Sequence, residues 1–163
     1  MKRFILILFA ICVAFNTIAK NQIAIYVIGD ASEAYKKVVA SALTQAVNRD
    51  GHFQAVERTN DFLGALGSEV SYQSSGAVSQ SRIIELGRQF GAQYVFVVDL
   101  NNVLGELYAS SRILNVENNI IEAASDTNSV VSSMEQLKNL AKEISTATLA
   151  EMPYNVEIKN NSN

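Results

Sequence analysis

From residue 20 onward, short apolar runs alternate with longer stretches in which apolar residues recur every three to four positions. Ile23 to Ile28 is a continuous run, rich in β-branched residues and ended by Gly29, which predicts a strand buried on both faces. Asp30 and Glu33 have capping-box spacing, so a helix is predicted to open at Asp30 and to run out between Asn48 and Gly51. Its apolar stripe is Tyr35, Val38, Val39, Ala42, Leu43 and Ala46. His52 to Glu57 is short and alternating, and predicts a second strand.

Thr59 is placed to cap a short helix whose Phe62, Leu63, Leu66 and Val70 share a face, and Tyr72 to Gly76 then breaks the pattern as a polar loop. A helix over about Ser79 to Phe90 carries Ile83, Leu86 and Phe90 on one side, with Gly91 at a left-handed C-cap position. Tyr94 to Leu100, Leu107 to Val116 and Ile120 to Ser125 predict three further strands, the last two joined through Glu117-Asn118-Asn119. A final helix is predicted from Ser132, boxed with Glu135 and presenting Leu137, Leu140, Ala141, Ile144 and Thr148.

The order β-α-β-α-α-β-β-β-α predicts an α/β sandwich, a single domain whose mixed sheet of about five strands is covered by helices. The first three strands are expected to be parallel and the last three an antiparallel meander. Neither an internal repeat nor a Gly/Ser-rich linker interrupts the chain, and its one proline is Pro153. The expected boundaries are therefore residues 20–152 for the domain and 153–163 for a polar C-terminal tail.

Residues 1–19 change the picture of where the protein works. Lys2-Arg3, the uncharged run Phe4 to Phe15 and the small-residue site Thr17-Ile18-Ala19 have the layout of a secretory signal peptide. The apolar run falls short of the roughly 20 residues that cross a bilayer, so no membrane insertion is expected after cleavage. Export to the periplasm or beyond is predicted. Cleavage removes the only cysteine, Cys12, and with it disulfides and thiolate metal sites. Loss of Lys2 and Arg3 leaves 11 basic against 16 acidic residues, a net charge near −5 that argues against nucleic acid as partner.

Candidate chemistry is sparse, and no cofactor, metal or catalytic residue is assigned. His52 is the sole histidine, with no companion motif to place a nucleophile or orienting carboxylate beside it, and reads as a surface or strand-edge residue. Gly29-Asp30 sits where a strand meets a helix but lacks the later glycines of a dinucleotide fingerprint. Asp99 interrupts an apolar strand near its C-terminal end. It is expected either to pair with Arg112 on the next strand or to join Asp30 in a carboxylate pair that serves a small-ligand binder or hydrolase. The loop residues Tyr72, Gln73, Ser74 and Ser75 are expected to contact a partner or to act as a flexible connector.

From Leu86 to Ser125 the chain resembles the CsgG-like family of bacterial envelope proteins, which includes the curli secretion channel subunit, the penicillin-binding-protein activator LpoB and the flagellar protein FlgO. Leu86, Gly87, Gly91, Ala92 and Tyr94 match that family's helix end and strand start, while Ser111, Arg112, Ile113 and Val116 match its following strand. Glu57-Arg58, Leu63, Glu69 and Ser75-Gly76 extend the resemblance upstream. Asp99, Asn115 and Asn119 stand where the family usually has glycine, aspartate and glycine. The resemblance implies a non-enzymatic, exported accessory protein that binds another envelope protein. It also implies an alternative, a ring-forming secretion component, and leaves the oligomeric state open.

Overall fold

The computed structural model describes residues 20–56 and 80–154. The apolar runs form strands β1 (Asn21–Ile28), β2 (Phe53–Ala55), β3 (Tyr94–Val103), β4 (Glu106–Asn115) and β5 (Ile121–Ser129). The periodic stretches form helices α1 (Glu33–Asp50), α2 (Gln80–Gln89) and α3 (Met134–Ala150). The signal-like residues 1–19, the helix expected from Thr59, the loop Tyr72 to Gly76 and the tail beyond Tyr154 lie outside the described residues.

All five strands join one sheet in the order β2-β1-β3-β4-β5. β1 is parallel to β2 and β3, and β3-β4-β5 is an antiparallel meander, as the element order predicted. Alternate residues of a strand face opposite sides, and β1 buries both sets. Ile23, Ile25 and Val27 join Phe96, Val98, Leu100 and Ile113 under α1 and α3. Ala24, Tyr26 and Ile28 join Val95, Val97 and Leu114 under Ile83, Ile84 and Leu86 of α2. Two antiparallel steps separate β3 from β5, so β5 runs in the direction of β1, and α1 and α3, which follow these two strands, lie side by side pointing the same way.

Two predicted helix starts shift. Ser32, not Asp30, is the N-cap of α1 and accepts from the Tyr35 N–H. Asp30 is diverted to the sheet, where its Oδ1 accepts from the Asn102 N–H at 2.7 Å. At α3 the N-cap is Ser133, which accepts from the Gln136 N–H. The Gln136 side chain reaches back to the Ser132 N–H at 2.8 Å, a donor left over by that one-residue shift. The stripe expected on α1 also rotates: Val39, Ala40, Leu43 and Val47 are its buried apolar residues, while Tyr35 is exposed and Val38, Ala42 and Ala46 are half-buried.

The matched glycines have physical reasons. Gly91 (φ +71°) ends α2 in a Schellman motif: the Gly91 N–H donates to Arg88 O, and the Ala92 N–H donates to Gly87 O. Gly87 lets α2 approach β3, since a Cβ there would lie 2.4 Å from Val95 Cγ2. Asn119 (φ +62°) holds the left-handed position of the β4–β5 turn, and Asn115 Oδ1 accepts from the Glu117 N–H at 3.0 Å. Asn115 and Asn119 thus build this turn themselves, one by accepting a backbone N–H and the other by its positive φ. β3 runs three residues beyond Leu100, to Val103, because Leu104 and Gly105, both at positive φ, close a two-residue hairpin onto Glu106.

Candidate functional site

The chain leaves β1 toward β2 on one side and later returns to β3 on the other. The C-terminal ends of β1 and β3 therefore form the switch point where open α/β sheets usually take ligands. Asp30 and Asp99 meet there, with Asn101 between them. The Asn101 amide donates to Asp99 Oδ1 at 2.8 Å, and its Oδ1 accepts from the Asp30 N–H at 3.0 Å. The Ala31 N–H donates to Leu100 O at 3.0 Å, stitching the β1–α1 loop to β3, and the Lys36 amine reaches Gly29 O at 3.2 Å. The carboxylates are spent on loop closure. Neither of the two cavities described below is lined by Asp30 or Asp99, and no cluster of three or more His, Cys, Asp or Glu that could hold a metal forms among the described residues.

Asp99 and Arg112 do not form the expected ion pair. Asp99 faces Ser110 and Arg112 faces Val97, which puts the two on one face of the sheet at diagonal positions. Asp99 Oδ1 takes the Asn101 amide instead, and the described ion pairs lie elsewhere, at Lys36–Glu33, His52–Asp50 and Arg82–Glu85. Arg112 Nε is buried without a hydrogen-bond partner. Tyr72, Gln73, Ser74 and Ser75 lie outside the described residues.

His52 finds a carboxylate that its sequence context did not advertise. Its Nδ1 lies 3.0 Å from Asp50 Oδ2, and Tyr154 OH donates to the same oxygen at 3.1 Å. The His52 and Tyr154 rings stack with centroids 4.0 Å apart, and Phe53 meets Tyr94 edge-on at 5.3 Å. Burial, then the neighbouring Asp50 carboxylate, pushes the Tyr154 phenol above its usual pKa. This arrangement fastens the end of the domain: Met152 is buried and Tyr154 packs on the core, where a polar tail was expected from residue 153 onward.

The larger cavity is one the sequence reading did not single out. It is a groove of about 950 Å³ between α1 and α3, floored by Val38, Ala42, Ala46 and Leu149 and edged by Lys138 and Lys142. Its signal was present in the α1 stripe, which is broader than one sheet face can cover. A smaller cavity of about 420 Å³ lies beside Ile84, Arg88 and Asn119. No described helix is long and apolar enough to cross a membrane.

No family model and no curated protein matches the chain. Solved structures do. The LpoB C-terminal domain from Salmonella enterica superposes with a TM-score of 0.52 at 16% identity, covering 74% of this chain and 90% of that one. The chain shares the fold of that domain. The LpoB C-terminal domain from Escherichia coli gives a TM-score of 0.48 at 14% identity, over 78% of this chain and 93% of its own. The PelC dodecamer structure from Paraburkholderia phytofirmans gives 0.49 at 9% identity, over 77% and 84%. Within this LpoB-like fold, Gly87, Gly91 and Asn119 serve backbone geometry, so the segment that carries the resemblance builds the scaffold.

Proposed function

We propose that this chain is an exported envelope protein that works by binding another envelope protein, as a non-enzymatic accessory of the kind the resemblance to penicillin-binding-protein activators implies. The observation that carries the reading is the fold shared with the LpoB C-terminal domain. The secretory layout of residues 1–19 agrees with it. In this reading Tyr72, Gln73, Ser74 and Ser75 are partner contacts alongside the folded surface.

The test is capture. Purified protein beginning at Lys20, carrying a photo-cross-linking residue in place of Tyr72, is expected to recover one specific envelope protein from envelope extracts in proportion to the amount added. Recovery no greater than that of a heat-unfolded control overturns the reading.

A further inference from the structure

α1 has more apolar surface than the sheet uses. Val39, Leu43 and Val47 are buried against the sheet, whereas Val38, Ala42 and Ala46, each one helical turn from the next, are half-buried at its margin. Together with Leu149 of α3 they floor the groove of about 950 Å³. Twelve residues separate Val38 from Asp50 at the far end, a length of about 18 Å at 1.5 Å per residue, or roughly three helical turns. The small side chains of Ala42 and Ala46 allow a docked backbone to come close.

The edge of this groove is cationic in a chain of net charge −3. Arg49, Lys138 and Lys142 line it, against a single lining carboxylate, Asp50, which His52 and Tyr154 already engage. None of the three cations has an ion-pair partner among the described residues. Lys138 and Lys142 lie one turn apart on α3 and repel each other. That repulsion costs the fold, and an anionic visitor would relieve it.

We propose that the groove binds a helical segment of a partner protein, about three turns long, with apolar residues along one face and Asp or Glu on its flanks. Its apolar ridge covers Val38, Ala42 and Ala46, and its carboxylates meet Arg49, Lys138 and Lys142. This assignment rests on the protein-binding reading above and names the surface and the chemistry of the partner.

The probe is a fluorescein-labelled, helix-forming peptide of about four turns, with leucines along one face and glutamates flanking them; a copy with lysine for every glutamate is the control. The glutamate peptide is expected to bind, to weaken as salt is raised, and to shift amide resonances of α1 and α3. The K138E/K142E variant, whose changes are on an exposed helix face, is expected to lose affinity for it by roughly tenfold or more and to prefer the lysine peptide. Equal binding of both peptides, shifts centred elsewhere, or unchanged affinity in the variant overturns the assignment. Envelope capture separates the two proposals. If the unsubstituted protein and K138E/K142E recover the same partner equally, the groove falls and the protein-binding reading stands. If neither recovers a partner while the peptide results hold, the groove's preference for an anionic amphipathic helix stands and the envelope-partner reading falls.

Discussion

Ser111 on β4 and Thr148 on α3 share a hydroxyl-to-hydroxyl hydrogen bond inside the core, fastening helix to sheet. The Thr148 hydroxyl also lies 2.6 Å from Ile144 O and the Ser111 hydroxyl 3.1 Å from Ser125 O, so two hydroxyl protons are divided among three contacts and whichever hydroxyl donates to the other gives up its carbonyl. Thr148→Val keeps the shape and removes one hydroxyl, at an expected cost of about 1 kcal/mol. Ser111→Ala is expected to cost a similar amount. The double variant should lose less than the two single losses together, by about 0.5 kcal/mol or more. Urea unfolding of the four proteins measures this, and strict additivity would show that the hydroxyls do not depend on each other.

Gly29 and Gly87 are expected to resist alanine for different reasons. At Gly29 (φ +104°) a Cβ would lie 2.4 Å from Leu100 O, an oxygen held in place by the Ala31 N–H. Left-handed strain and backbone collision together put Gly29→Ala at about 3 kcal/mol or more of destabilisation. Gly87 lies in a helix, where alanine gains about 1 kcal/mol in propensity. Its Cβ would nevertheless meet Val95 Cγ2 at 2.4 Å, and a β-branched side chain on a buried strand cannot swing away. Overpacking of about 1–3 kcal/mol is expected to win. Adding Val95→Ala to Gly87→Ala should recover part of the loss; no recovery would place the cost elsewhere.

Leu104 holds a left-handed conformation (φ +52°) at the tip of the β3–β4 hairpin with its side chain fully exposed. Asparagine suits that turn position better, so Leu104→Asn is expected to raise stability by about 1 kcal/mol. A thermal midpoint that fails to rise would mean that the leucine packs on something in solution.

Burial raises the pKa of Tyr26, Tyr94 and Tyr154, with the Asp50 carboxylate adding to the shift at Tyr154 and Glu122 at Tyr94. The unfolded chain releases these phenolic protons near pH 10, while the folded chain keeps them. The stabilisation is complete below about pH 10 and is lost progressively as pH climbs through the raised folded values. Unfolding measured between neutral pH and strong alkali should show this decline, and Tyr154→Phe should make it shallower. A decline of equal slope in the variant would exclude Tyr154 as a contributor.

Much of the fold was legible because its signals are local. Ile23 to Ile28 is apolar on every residue and became an interior strand buried on both faces, and the Gly91 stop and the Asn119 turn follow from positive φ alone. What was misread depended on competition between neighbours. Asp30 and Ser32 both suit an N-cap, and only the approach of Asn102 across the sheet decided between them. The pairing of Asp99 with Arg112 failed in the same way, since Asn101, two residues along, reaches Asp99 first. The groove escaped notice because a wide helical stripe gives no sign of how much of it the sheet will cover.

The parallel pairing of β1 with β3 sets the order of events during synthesis. Ile23 is made 71 residues before its partner Tyr94. At about 5–20 residues per second the ribosome leaves β1 without that neighbour for roughly 4–14 s. Its earlier partner, β2, covers only Asn21, Gln22 and Ile23. β1, buried on both faces in the finished protein, is therefore among the strands longest exposed while the chain is being made.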